Sequence, residues 1–155
     1  MTADDVLAAL LAEESELQFP AFDNDTAWEL GQRLVAAARE RGLAVTVDVE
    51  RGEQQLFHCA LPGTAADNDE WIRRKNRVVR RFGHSSFYMG AAHGAAFAER
   101  FLLDPTVYAA HGGAFPVIVR GVGPVGTVTV SGLPQEEDHR LVVAVLRDFL
   151  QTERR

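Results

Sequence analysis

The chain has 155 residues, a net charge of −6, 46% hydrophobic and 25% charged residues. That length is a soft prior for one domain, and a domain of this size buries roughly 68–70% of its unfolded surface without needing staples. A lone cysteine, Cys59, excludes an internal disulfide and suits a reducing compartment, and the acidic balance argues against general nucleic-acid binding.

The first stretch, MTADDVLAALLAEE, is acidic and lacks the basic region of a secretory signal. No apolar run reaches the ~18 residues of a membrane span. A cytoplasmic protein with no membrane or nucleic-acid partner is the expectation. Residues 4 to 15 read as an amphipathic helix with Val6, Leu7, Leu10 and Leu11 on one side. QFPAFDND reads as a loop. Thr26 and Glu29 read as a T-x-x-E capping box. The helix it opens runs through Leu30, Leu34 and Ala38, and Gly42 stops it. AVTVDVE alternates, so Val45, Val47 and Val49 share one face of a half-buried strand and Thr46 and Asp48 the other. RGEQ turns the chain into QLFHCAL, which makes residues 44 to 61 a hairpin.

The next helix is expected to open at Asp67, with Glu70 three residues on. Trp71, Lys75, Val78 and Phe82 form its stripe, widened by Ile72 and Val79. Six of the sixteen Lys and Arg fall in residues 71 to 82, and Lys75 is the only lysine in the chain. On that stripe Lys75 either snorkels or aims its amine into a cleft. Ser85 or Ser86 caps a further helix reaching about Leu103, on which Gly90, Gly94 and Ala98 fall four apart. A second hairpin, residues 115 to 131, and a final helix from about Gln135 to Leu150 complete the order. Two hairpins flanked by helices favour an α+β fold with an antiparallel sheet.

The segment "HGGAFPVIVRGVGPVGTVTVSGLPQEEDH", residues 111 to 139, carries the functional signal. A turn near residue 122 lays Gly112 and Gly113 beside Ser131 and Gly132 at one end of the sheet. His111 enters there, and Asp138 and His139 leave from the opening turn of the final helix. Small residues leave room, and the unpaired N–H groups of that turn suit an anion. Protonated His111 or His139 would add charge assistance, and Lys75 could reach in from the basic helix. The candidate ligand-binding residues are therefore Lys75, His111, Gly112, Gly113, Ser131, Gly132, Asp138 and His139. The competing reading is structural: the glycines serve tight backbone turns, and Asp138 and His139 satisfy backbone groups of the hairpin. No third ligand stands at metal-binding spacing, so no metal site is expected. Ser131 lacks the G-x-S-x-G frame of a nucleophile elbow, and no residue is marked as catalytic.

"YAAHGGAFPVIV", "VGTVTVSGLPQEEDH", "DNDEWIRRKNRVVRRFGHSS" and "FDNDTAWELG" together resemble the haem-degrading (GlcG/HbpS-like) domain family, in its branch of uncharacterised stand-alone proteins. The resemblance spans roughly residues 18 to 150. It implies one domain over 1–155, with residues 1–17 an N-terminal helix outside the family core. It also implies a three-layer α-β-α, profilin-like fold with a five-stranded antiparallel sheet, and a homo-oligomer. Haem enters as a candidate cofactor by the same route, bound weakly. It needs an apolar slot and an axial ligand, for which His93, His111, His139, Tyr108 and Met89 are chemically able. Arg73, Arg74 and Lys75 are available for its propionates. Two readings follow: a domain binding a small anionic or tetrapyrrole ligand, or a non-catalytic assembly protein with no small-molecule chemistry.

Overall fold

A computed structural model describes residues 1–153. The elements, in chain order, are α1 (Ala3–Glu16), β1 (Gln18–Phe19), α2 (Asn24–Glu40), β2 (Thr46–Arg51), β3 (Gln54–Ala60), α3 (Ala66–Phe82), α4 (Ser86–His93), the short α5 (Phe97–Arg100), β4 (Ala114–Val119), β5 (Gly123–Ser131) and α6 (Gln135–Glu153). The strands form one five-stranded sheet in the order β1-β4-β5-β2-β3. α2 and α6 pack on one face, α3 and α4 on the other. The α+β, layered reading holds, and both hairpins lie in the one sheet.

The sheet is mixed and not purely antiparallel. β1 runs parallel to β4, with Gln18 opposite Ile118 and Phe19 opposite Val119. This strand lies in the segment read as a loop. Two residues carry no alternation to detect, and the pairing follows from packing: Phe19, 1% exposed, places its ring against Phe22 and Phe149.

Two helix starts also differ. α2 is capped by Asp23, whose carboxylate accepts from the Thr26 backbone N–H at 2.8 Å while Thr26 Oγ1 accepts from the Asp23 N–H. The reciprocal box is thus D-x-x-T, three residues earlier than T-x-x-E. α3 begins at Ala66, and the Asn68 side chain accepts from the Ala65 N–H. The helix expected to run to Leu103 breaks at Gly94, which takes φ +61, a left-handed conformation that side-chain-bearing residues avoid. The Gly90/Gly94/Ala98 row is therefore not continuous. A Cβ on Gly90 would collide with the carbonyl oxygen of Ala110, so its smallness serves the chain's own packing.

The two faces of the sheet have opposite chemistry. Val45, Val47 and Val49 of β2, Val128 and Val130 of β5, and Phe115 and Val117 of β4 meet Leu30, Leu34 and Ala38 of α2 and Val142, Leu146 and Phe149 of α6. Each of the valine, leucine and phenylalanine side chains contributes about 1.5–3 kcal/mol on full burial. On the other face, Thr46, Asp48 and Glu50 stand opposite Ser131, Thr129 and Thr127. The alternation of β2 holds, with the valines on one face and Thr46 and Asp48 on the other, but the strand is not half-buried: Thr46 and Asp48 are as fully buried as the valines. The reason is α3, which covers that polar face. Buried Asp48 keeps hydrogen-bond partners, as desolvation demands: Gln55 Nε2 at 2.8 Å, His58 Nδ1 at 2.9 Å and Asn76 Nδ2 at 3.3 Å. Among the described residues no helix is long and apolar enough to cross a membrane.

Candidate functional site

The end of the β4–β5 hairpin forms as the turn geometry predicts. Phe115 pairs with Val128 and Ala114 with Thr129, and the Val130 N–H donates to the Gly113 carbonyl at 3.1 Å. A cavity of about 300 Å³ opens at this end, lined by Asp67, Asn68, Trp71, Lys75, His111, Ser131, Gly132, Leu133, Gln135 and Asp138. Of the eight candidate residues, Lys75, His111, Ser131, Gly132 and Asp138 meet on this lining. Gly112, Gly113 and His139 do not line it.

Lys75 is only 3% exposed. Its Nζ donates to Asp138 Oδ2 at 3.2 Å and lies 3.4 Å from the Val130 carbonyl oxygen. Asp138 Oδ1 accepts from the Leu133 N–H at 3.0 Å. The Asp138 carboxylate thus bridges the Lys75 amine and the backbone just ahead of α6. Burial pushes the Lys75 amine below its ordinary value and Asp138 above its own, while their mutual attraction opposes both shifts. Gly113 makes room for this pair. It takes φ +136, and a Cβ there would strike the Val130 carbonyl oxygen and stand 2.8 Å from Lys75 Nζ. The Gly112 N–H donates to Gln135 Oε1 at 2.9 Å, and Asn68 Nδ2 donates to Ser131 Oγ at 3.3 Å.

His139 has a different role. Its ring is 3% exposed, stacks on Phe87 at 4.9 Å, and its Nε2 meets Glu13 Oε1 at 2.9 Å. It ties α6 to α1. His111 is exposed, and its edge rests on Trp71 with ring centroids 5.2 Å apart. Among the described residues its ring nitrogens have no hydrogen-bond partner. Partial burial, then the Lys75 and Arg74 charges, hold its imidazole below the ordinary histidine value, which favours the neutral form.

His111 also borders a second, apolar cleft of about 470 Å³, walled by Phe87, Gly90, Ala91, Gly94, Ala95 and Ala110. An adjoining recess includes Arg74. The Arg74 guanidinium lies over Trp71 at 4.4 Å, and its buried Nε has no hydrogen-bond partner. These residues fit a tetrapyrrole: an apolar slot, an imidazole at its edge, and an arginine in the adjoining recess. The other axial candidates fit less well. His139 is held by Glu13, His93 Nδ1 lies 2.8 Å from Arg100 Nη1, and Met89 and Tyr108 pack with Val78 and Phe97.

Asp67, Asn68, Trp71, Leu133 and Gln135 were not singled out as site residues. For the three on α3 the signal is helical spacing: 67/68, 71 and 75 fall one turn apart, so the stripe that carries Lys75 carries Asp67, Asn68 and Trp71 too. The polar network of Asp48, Glu50, His58, Asn76 and Thr129 left no motif. It becomes visible only when β2 and β5 pair beneath α3. Among the described residues no group of three or more His, Cys, Asp or Glu could hold a metal ion.

Comparison with known proteins agrees with this architecture. A family profile described as haem degrading protein HbpS-like matches residues 22–147. A UPF0303 protein of Streptomyces coelicolor is 57% identical over 147 residues, covering 93% of each chain. The crystal structure of the Ybr137w protein superposes with a TM-score of 0.91 at 36% identity, covering 96% of this chain and 90% of that one. The structure of a PduOC:heme complex matches with a TM-score of 0.68 at 16% identity, covering 83% and 94%, a likeness of fold. The chain belongs to the HbpS-like haem-degrading protein family.

Proposed function

We propose that this protein is a small-ligand-binding domain that takes a haem-type tetrapyrrole in the apolar cleft beside α4, with His111 as axial ligand. One observation carries the reading: the His111 imidazole, whose ring nitrogens have no hydrogen-bond partner among the described residues, lines an apolar slot of about 470 Å³. A neutral imidazole nitrogen is the form that ligates iron. Arg74, which lines the adjoining recess, would supply the guanidinium for a propionate. Haem, when bound, would supply redox-active iron. The chain's own part would be to bind and orient it: Phe87 and the small residues of α4 would exclude water, and His111 would hold the iron. The PduOC neighbour's structure with haem adds support at the level of the fold.

The cleft is open to solvent and built mainly of small side chains, so affinity is modest. A dissociation constant in the micromolar range or weaker is expected, about −8 kcal/mol or less favourable. Titration of haem followed in the Soret band checks this. His111→Ala should remove the shift of the band while His93→Ala keeps it. An unchanged Soret titration in His111→Ala would overturn the axial role. A homo-oligomer belongs to the same proposal, since Ala91, Gly94 and Ala95 are exposed on the cleft wall. Light scattering that returned only the 17.0 kDa chain at micromolar protein would count against it.

A further inference from the structure

The polar cavity asks for a ligand of its own, distinct from that of the apolar cleft. We propose that Lys75 is a carbonyl-trapping amine, which condenses in this cavity with a small, neutral, hydroxylated aldehyde or ketone to form a Schiff base assisted by Asp138. Three features lead to this assignment. Lys75 lines the cavity although only 3% of it is exposed. Asp138 Oδ2, 3.2 Å from Nζ, is positioned to take a proton from the amine and return it. The rest of the lining is made for hydroxyl groups and not for a charged arm.

The lining charges decide the substrate class. Lys75 is the only cation there, against Asp67 and Asp138. With Asp138 already paired to Lys75, Asp67 leaves the cavity acidic, which disfavours a keto acid. Hydroxyls are suited by the Asp67 carboxylate and by Asn68, Ser131 and Gln135. The Trp71 ring offers an apolar wall to the C–H face of a short polyol chain. A volume of about 300 Å³ limits the guest to a few carbons.

The step balances without a co-reactant. Asp138 accepts one ammonium proton, and the freed Nζ lone pair attacks the carbonyl carbon. The new C–N bond forms as the C=O bond opens to a hydroxyl. Asp138 returns its proton to that hydroxyl, which leaves as water. Of the three ammonium protons, two depart in the water and one stays on the iminium, facing the Asp138 carboxylate. Nothing is oxidised or reduced. Burial assists by lowering the Lys75 amine and raising Asp138, which brings the neutral amine–acid form closer in energy to the ion pair.

The chain's composition makes the test clean, because Lys75 and the N-terminal amine are the only amino groups present. The apo protein is incubated with glyceraldehyde and cyanoborohydride at pH 7, and the reduced adduct is mapped by peptide mass spectrometry. Lys75 is expected to be labelled at least about tenfold faster than the N-terminal amine, its internal reference. Pyruvate should label Lys75 more slowly than glyceraldehyde. Lys75→Arg keeps the cation and should lose the internal label with the fold intact. Asp138→Asn, checked for folding by circular dichroism, should slow labelling by roughly 10²-fold. If that variant does not fold, Ser131→Ala takes its place, and labelling should then fall for glyceraldehyde but not for propanal. Labelling of the N-terminus ahead of Lys75 overturns the proposal, as does faster labelling by pyruvate or no response to these variants. No haem is present in the assay, so its outcome is independent of the tetrapyrrole reading.

Discussion

Asp138→Ala is expected to destabilise the protein by about 3–5 kcal/mol, the range for removing one partner of a buried ion pair. The truncation leaves Lys75 Nζ buried with only the Val130 carbonyl, at 3.4 Å, beside it. It also removes the acceptor of the Leu133 N–H. Both losses are of the costly kind, in which a polar group stays buried without its partner. Adding Lys75→Met should recover a good part of the loss, because the orphaned charge disappears and the stem volume is kept. Asp138→Asn should cost less than the alanine variant, since its amide oxygen can still accept from Leu133. Urea denaturation of the wild type, the two single variants and the double variant measures this. In thermal melts the alanine variant should fall by about 10 °C. A loss under about 1 kcal/mol would mean that the pair behaves like an exposed one.

The second large effect is a pH dependence centred on Glu50. Its carboxyl is pushed up to about 8 from 4.5, first by burial and then by the neighbouring Asp48 carboxylate. Arg80 Nη1 at 3.4 Å and Asn76 Nδ2 at 3.1 Å pull the other way. His58, Gln55, Asp69 and Thr129 complete the charged and polar surroundings. A carboxyl raised in the folded state binds its proton more tightly there than in the unfolded chain. Its contribution to stability is therefore complete below about 4.5 and is lost as the pH climbs through about 8. Glu50→Gln imitates the protonated form and can still donate to Asp48. It is expected to change stability little at pH 5 and to raise it by roughly 1–3 kcal/mol at pH 9. The full conversion of the shift is larger, but the side chain is 12% exposed and Arg80 answers part of the charge. Equal differences between variant and wild type at pH 5, 7 and 9 would dispose of this account.

These two sites differ in how they could be found. Lys75 was visible as the one cation on an apolar helical stripe. Asp138 was visible as a residue on the first turn of α6, delivered by the hairpin to the same end of the sheet. Nothing local joined them. Their contact depends on the close approach that Gly113 permits between α3, β5 and α6. Thr46 and Asp48 read as the open face of a half-buried strand because alternation reports which residues share a face, not what covers it. A polar face packed under a helix gives the same pattern as a polar face in water. The partners that decide the matter, Asn76 and Thr129, lie 28 and 81 positions beyond Asp48.

Sequence alone determined the α+β class, both hairpins, the order of the main helices, the family resemblance, and the meeting of His111, Ser131 and Asp138 at one sheet end. All of these rest on short-range periodicity or on hairpin arithmetic, where a turn ties partners that are close along the chain. Tertiary structure alone decided the parallel β1–β4 pair, the break at Gly94, the burial of Asp48 and Glu50, and the Glu13–His139 tie. It also decided that Asp138 pairs with Lys75, and that His111 borders an apolar cleft as well as a polar one. Each depends on contacts between residues far apart in sequence. Their free energy comes from excluding water between elements that carry no local mark of one another.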